Sequence, residues 1–170
     1  MSGESALSQV FSALWFILPA YMANAGALVV GGGRAVDGGR NFVDGRRILG
    51  DGVTVRGTAG GIAVGATVGL IQGAMRAEAK AGLLLGLALG AGAMVGDSVG
   101  SFTKRRLGIP RGQPAILLDQ LGFLVVALLF AAALVPIQAV TVAILLLLTP
   151  AIHLGTNVAA YLLGMKSVWY

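Results

Sequence analysis

Long apolar stretches alternate with short polar ones along this chain of 170 residues. A helix needs about 20 mostly apolar residues to cross the hydrocarbon core of a bilayer. Five stretches have this character, at residues 7–30, 57–75, 81–102, 114–134 and 137–163. The first is too long for the apolar part of a signal peptide and has no basic segment before it, which favours a retained span. The pattern predicts an all-α integral membrane protein with five transmembrane helices, folded as a single domain over residues 1–170.

The composition agrees with this pattern. Hydrophobic residues make up 56% of the chain and charged residues 11%, whereas soluble domains carry roughly a quarter charged residues. Because the chain has no cysteine and a single histidine, disulfides, thiolate catalysis and zinc centres built from Cys and His ligands are excluded.

The basic residues are distributed unevenly between the two sides of the predicted spans. With the amino terminus outside, the loops 31–56 and 103–113 and the carboxyl-terminal tail lie inside. These segments hold Arg34, Arg40, Arg46, Arg47, Arg56, Lys104, Arg105, Arg106, Arg111 and Lys166. Only Arg76 and Lys80 fall on the other side. Since basic loops favour the cytoplasmic side, we expect the amino terminus outside and the carboxyl terminus inside. Topology then accounts for the net charge of +5, and no nucleic acid is expected as a partner.

Glycine recurs at every fourth position in the second and third predicted spans. The two series are Gly61, Gly65, Gly69 and Gly82, Gly86, Gly90. Small residues at this spacing let helix backbones approach each other closely. Packing within one bundle is favoured over a dimer interface, and the sequence leaves the oligomeric state open.

Two carboxylates lie inside predicted spans, at similar depths below the cytoplasmic face. Asp97 is near the end of the third span and Asp119 near the start of the fourth. An ionisable residue within a span is costly and by default suggests function. Two acids at one level repel each other unless a cation lies between them, so we expect a metal site. Mg²⁺ is the expected cofactor because it favours carboxylate and phosphate oxygens. The alternative is that each acid pairs with a nearby Lys or Arg to orient its helix.

A polar segment that ends in basic residues follows Asp97. Ser98 supplies a hydroxyl, and Lys104 and Arg105 supply positive charge. Alone, such a cluster at a membrane boundary is typical of a topology anchor or a contact with anionic lipids. Beside two acids it predicts phosphate binding, for which the guanidinium fork of Arg is well suited.

The stretch "DGRRILGDGVTVRG", residues 44–57, combines charges with glycines. Its candidate phosphate-binding residues are Asp44, Arg46, Arg47, Asp51, Gly52, Thr54 and Arg56. Glycine permits positive φ and close backbone approach, so the loop either bends around a compact anion or is simply flexible. It is not a P-loop, because Asp51 follows Gly50 where that motif requires Lys.

These motifs resemble those of the archaeal CDP-archaeol synthases, which are small membrane cytidylyltransferases. Residues 44–57 resemble the hallmark loop of that family. The segments "GDSVGSFTKRRLGI" (96–109) and "LLDQLGF" (117–123) resemble the carboxyl-terminal signature of the related CDP-diacylglycerol synthases. This second match is partial, because Gln120 and Gly122 replace an Arg and an Asp of the bacterial signature.

The resemblance implies a reaction and a set of roles. CTP and an unsaturated archaetidic acid (2,3-bis-O-geranylgeranylglycerol 1-phosphate) would give CDP-archaeol and pyrophosphate, with Mg²⁺ required, at the cytoplasmic side of the cell membrane. Asp97 and Asp119 would hold the metal, and Lys104 and Arg105 would contact phosphates. The 44–57 loop would form a mobile lid or clamp over CTP or over the lipid phosphate.

Two other functions remain open on the residues themselves. A phosphatidyltransferase that consumes a CDP-lipid has an Asp-Gly motif, which residues 37–40 and 44–47 begin and then depart from. A small ion channel or transporter would place Asp97, Asp119 and His153 along an ion path.

Overall fold

The computed structural model describes residues 5–111, 113–115, 117–165 and 168–169, so Lys166 lies outside the described residues. This part of the chain forms five helices: α1 (Ala6–Val30), α2 (Val55–Ala74), α3 (Ala79–Arg106), α4 (Leu118–Ala132) and α5 (Ala139–Leu162). The prediction of an all-α fold is confirmed.

Three of the helices are long and apolar enough to cross a membrane, namely α1, α3 and α5. The α4 helix is apolar but has 15 residues. The α2 helix has 20 residues and is rich in glycine, which lowers its hydropathy. Helices of this length and composition are expected in a membrane protein, because a helix can cross the bilayer with its backbone hydrogen bonds satisfied internally.

Three predicted boundaries are wrong. The loop expected from residue 103 begins later, because α3 continues to Arg106. Basic residues stabilise the last turn of a helix, so the change from apolar to basic residues does not end α3. The fourth helix begins at Leu118 rather than 114, which puts Asp119 in its first turn. Arg56, expected in the loop, lies in the first turn of α2.

The backbones of α2 and α3 lie in direct contact. A Cβ atom added to Gly69 would lie 2.5 Å from the Cα of Gly86, and one added to Gly65 would lie 2.8 Å from the Cα of Gly90. No larger residue fits at such distances without moving the helices apart. The predicted packing of the glycine series within one bundle is confirmed.

The α3 helix lies between α2 and α4. On the α4 side, a Cβ added to Gly92 or Gly96 would meet the backbone of Ala127 or Phe123 at 2.6 Å. The core beside these contacts is apolar and includes the fully buried Leu89 and Leu124. Because small residues face both neighbours, α3 is the central helix of the bundle.

The loop of residues 31–54, here called the α1–α2 loop, folds around the carboxylate of Asp37. This carboxylate accepts hydrogen bonds from the backbone N–H groups of Gly39, Leu49 and Gly50 at 2.9–3.0 Å. It also forms an ion pair of 2.7 Å with Arg47, and its side chain is 1% exposed. The glycine-rich loop does bend around an anion, and this anion is the carboxylate of Asp37.

The Asp37 carboxylate is held in its charged form. Burial acts to raise the pKa of Asp37, but the hydrogen bonds from Arg47 and from three backbone N–H groups outweigh it. The pKa of this carboxyl therefore lies well below its usual range.

The α1–α2 loop is attached to the end of α3 by two arginines. The Arg46 guanidinium donates to the carbonyl oxygens of Arg105 and Arg106, at 3.2 and 2.6 Å. Arg106 in turn forms an ion pair of 2.7 Å with Asp44. Arg46 thus satisfies carbonyl groups that the end of a helix leaves without partners.

Aromatic rings complete this attachment. The Arg106 guanidinium carbon lies 4.8 Å from the ring centre of Phe42 and 4.9 Å from that of Phe102. A cation over aromatic faces is stabilised by their quadrupoles. The loop and the carboxyl-terminal end of α3 therefore form one structural unit.

We expect Gly69→Leu to destabilise the bundle, because the added side chain meets the backbone of α3. Overpacking of this kind costs roughly 1–3 kcal/mol. Gly155→Ala in α5 is the matched control, since nothing lies within 4 Å of its added Cβ. Thermal unfolding of the purified protein in detergent measures both, and equal melting temperatures for the two variants would contradict the packing described.

We expect Asp37→Asn to loosen the α1–α2 loop, at a cost of roughly 1–3 kcal/mol for the groups left unpaired. The pKa of Asp37 is lowered in the folded protein. Its stabilisation is therefore complete above the usual aspartate pKa of about 3.9 and is lost as the pH falls below that value.

Asp51→Asn is the control, because Asp51 is 62% exposed and its one ion pair among the described residues is with Arg47. Exposed pairs contribute about 0–1 kcal/mol. Limited proteolysis of the loop across a pH series measures the effect. Protection of the Asp37→Asn loop equal to that of the Asp51→Asn loop at neutral pH would refute this role.

Candidate active site

A cavity of about 550 Å³ opens between the five helices, beside the end of the α1–α2 loop. We call it the polar cavity. Its lining includes Asp97, Lys104, Asp119, Asn24 and His153. Carboxylate, ammonium, amide and imidazole groups thus converge on one space inside an otherwise apolar bundle, an arrangement typical of ligand sites.

The two acids of the predicted metal site face this same cavity. Lys104 forms an ion pair of 2.6 Å with Asp119, and Asp97 interacts electrostatically with both. Asp119 also accepts a hydrogen bond of 2.9 Å from the backbone N–H of Ala115, which fixes the start of α4. Because Asp97 comes from α3 and Asp119 from α4, contact between these helices brings the acids together.

The acid pair has the donor chemistry of a magnesium site. Among the residues that the structure describes, no group of three or more His, Asp or Glu side chains is placed to hold a metal. Mg²⁺ is commonly bound by one or two carboxylates, with water and substrate phosphates as the other ligands. Asp97 makes no hydrogen bond or ion pair within the described part of the chain, so its oxygens are available. The residues present therefore fit Mg²⁺ bound together with a phosphate ligand.

The predicted loop residues divide into two groups. Gly52 and Thr54 line the polar cavity, and the Thr54 hydroxyl also caps α2 by accepting from the N–H of Gly57 at 3.1 Å. The charged residues of the loop lie outside this lining and contact the loop itself or α3. They are Asp44, Arg46, Arg47 and Asp51.

The structure does not bring the remaining three predicted residues into the cavity lining. Ser98 donates to the carbonyl of Met94 at 2.8 Å and faces a separate groove. Arg105 has a buried Nε with no hydrogen-bond partner among the described residues. Arg56 is exposed and has no carboxylate within ion-pair distance in the part described.

Several polar residues of the cavity were not selected from the sequence. The hydroxyl groups of Tyr21 and Thr149 are hydrogen-bonded at 2.7 Å between α1 and α5. The amide of Asn157 lies 3.4 Å from the ring of His153 in the same helix. The same sequence feature could have identified all of these residues: each is a polar side chain inside an apolar span.

The cavity also has apolar lining residues. Leu28 and Val29 of α1 face it together with Ala160 of α5 and Leu163 just beyond that helix. A molecule with a charged head and a hydrocarbon chain matches this combination of polar and apolar lining.

Comparison with known proteins gives a consistent result. The model of a family described as "CarS-like: CDP-archaeol synthase" matches residues 6–170. A CDP-archaeol synthase of Thermococcus gammatolerans is 53% identical over 96% of this chain and 98% of its own. One of Methanothermobacter thermautotrophicus is 52% identical over 95% of this chain and 94% of its own.

A solved structure, described as an intramembrane enzyme for archaeal membrane lipid biosynthesis, is similar as well. It covers 88% of this chain and 94% of its own, at 40% sequence identity and a TM-score of 0.78. Both the sequence and the fold are thus shared along nearly the whole length. This chain belongs to the CDP-archaeol synthase family.

Proposed function

We propose that this chain transfers the cytidylyl group of CTP to the phosphate of 2,3-bis-O-geranylgeranylglycerol 1-phosphate. A lipid phosphate oxygen attacks the α-phosphorus of CTP, the bond from that phosphorus to the bridging oxygen breaks, and pyrophosphate leaves. The products are CDP-archaeol and pyrophosphate. One observation carries the proposal: Asp97, Asp119 and Lys104 converge on a cavity that also has apolar lining residues.

Asp97 and Asp119 would hold Mg²⁺ in this cavity. When bound, Mg²⁺ neutralises negative charge on phosphate oxygens and orients them. The two carboxylates come from two packed helices, so their separation is set by the α3–α4 contact and not by a flexible loop. This fixed geometry supports a site that binds the same ligand oxygens in each turnover.

Lys104 serves as the fixed positive charge of the site. An ammonium group has three donors, so Lys104 can keep its bond to Asp119 and also donate to a phosphate oxygen. Arg105 follows it in α3 and adds a second positive charge near this end of the helix. No strong general base is required, because a phosphate monoester is already ionised near neutral pH.

The α1–α2 loop serves as a clamp built on Asp37. Asp44, Arg46, Arg47 and Asp51 hold the loop against itself and against α3, while Gly52 and Thr54 face the cavity. Arg56 stands beside them without an acidic partner in the part of the chain described. We propose that it adds positive charge for CTP or for the lipid phosphate.

The proposed topology has five spans, with the amino terminus outside and the active site facing the cytoplasm of a multi-pass cell membrane protein. The basic residues of the loops support this orientation. It places the cavity where CTP is available. The alternative orientation would leave ten of the twelve basic residues outside.

We expect Asp97→Asn to lower turnover at least about a hundredfold, since the metal contributes several kcal/mol to the stabilisation of transition-state charge. The measurement is formation of CDP-lipid by purified protein, with Mg²⁺ and with EDTA. Glu78→Gln is the control, because Glu78 lies at the opposite end of α3 and is exposed.

The expected result is loss of product in EDTA and in Asp97→Asn, with the control unaffected. Full activity of a correctly inserted Asp97→Asn protein would refute the metal assignment. Activity of the unmodified chain in EDTA would refute the cofactor.

The topology is tested with single cysteines, since the chain has none of its own. Val43, in the α1–α2 loop, is 93% exposed, and Arg76, in the α2–α3 turn, is also exposed. We expect a membrane-impermeant maleimide to label Arg76→Cys in intact cells, and Val43→Cys only after lysis. The opposite result would reverse the orientation.

A further inference from the structure

The helices α2 and α3 separate toward the α1–α2 loop. Glycine faces glycine at Gly69 and Gly86 and again at Gly65 and Gly90. One turn further on, a Cβ added to Gly61 would meet the sulfur of Met94 at 2.6 Å. The Met94 side chain therefore lies at the point where contact between the two backbones ends. Beyond this point the helices leave a space between them.

This space is an apolar groove of about 300 Å³, which we call the α2–α3 groove. Ile62 of α2 and Ala91, Val95 and Val99 of α3 form its walls, with Leu49 of the loop and Phe102 at its upper end. From residue 91 to residue 102 it follows α3 for roughly 16 Å, at 1.5 Å per residue. Its shape and lining suit a single hydrocarbon chain.

The groove adjoins the polar cavity. Thr58 and Met94 line both spaces, so these two side chains lie between them. An unbranched thioether adopts many rotamers and changes conformation easily. A ligand bound at Lys104 and Asp97 can therefore extend a chain into the groove when the Met94 side chain moves aside.

We propose that the α2–α3 groove binds one of the two prenyl chains of the lipid phosphate, while the other lies along the apolar residues of the polar cavity at the carboxyl-terminal ends of α1 and α5. This inference rests on the proposed function. Two features support this occupant. The polar cavity has apolar lining residues of its own and adjoins an apolar groove, and the proposed substrate carries two chains on one glycerol.

The first test narrows the groove. Val95→Trp fills its middle, and Leu87→Trp is the control, because Leu87 lies on the same helix, outside the groove lining, with an exposure of 37% against 43% for Val95. KM is measured for the geranylgeranyl substrate and for a glycerol phosphate with two short ether chains. The ratio of interest is the KM of the geranylgeranyl substrate divided by that of the short-chain substrate. We expect Val95→Trp to raise this ratio about tenfold, which corresponds to the loss of roughly two buried methylene groups. Leu87→Trp should leave that ratio unchanged.

An equal ratio in the two variants would overturn the groove assignment and leave the proposed function intact. Failure of the unmodified chain to form any CDP-lipid would instead overturn the proposed function. The two failures are therefore distinguishable.

The second test does not depend on the activity of a variant. Val95→Cys and Leu87→Cys are labelled with N-ethylmaleimide in detergent, with and without the geranylgeranyl substrate. We expect the long-chain substrate to slow labelling of Val95→Cys about tenfold, the short-chain analogue to have no effect, and Leu87→Cys to react equally in all cases. Protection of Val95→Cys that depends on protein concentration and not on lipid would assign the groove to a second copy of the chain and overturn the proposal.

Discussion

Contact between the backbones of α2 and α3 fixes the position of the groups that we propose carry the chemistry. Facing glycines bring these helices as close as two helices can lie, and glycines on the opposite face of α3 do the same for α4. The α3 helix is therefore held on both sides, and it supplies Asp97, Lys104 and Arg105. In a bilayer, where apolar side chains gain little by contacting each other rather than lipid, such close packing is a main source of helix association.

A second constraint acts at the carboxyl-terminal end of α3, where the helix changes from apolar to basic residues. The loop of residues 31–54 has no hydrophobic core, and its fold depends on one buried carboxylate, that of Asp37. Arg46 and Arg106 then join the loop to α3 through carbonyl groups and Asp44. Several arginines of this basic protein thus serve to build the loop, whereas Lys104 faces the polar cavity.

Much of this fold follows from the sequence. Apolar runs of membrane-spanning length identify α1, α3 and α5, and four-residue glycine spacing identifies the α2–α3 contact. Helix ends are harder to predict, because hydropathy indicates where the chain leaves an apolar environment and not where the helix ends. The basic turn at Lys104–Arg106 remains helical although it is polar.

Only part of the candidate site could be predicted from the sequence. Asp97 and Asp119 stood out because carboxylates are rare within spans, and the structure places both on one cavity. The role of Asp37 was missed, since its partners lie 10–13 residues away in an irregular loop. The short Asp-Gly-Gly turn, in which Asp37 accepts from Gly39, was the one local signal. Arg46 and Arg47 were selected for phosphate binding, but spacing in a glycine-rich loop does not show which carbonyl or carboxylate an arginine will contact.

Family membership, a cavity lined by two carboxylates and an ammonium, and an adjoining apolar groove together lead to one claim: the chain moves the α-phosphate of CTP, with its nucleoside, onto a lipid phosphate. The most direct test follows phosphorus label into extractable lipid, using CTP labelled at either the α or the γ position. Transfer of the cytidylyl group puts label in the lipid from α-labelled CTP alone. Label transferred from the γ position would indicate a kinase, and label from neither, with correctly folded protein and the geranylgeranyl substrate present, would contradict the claim.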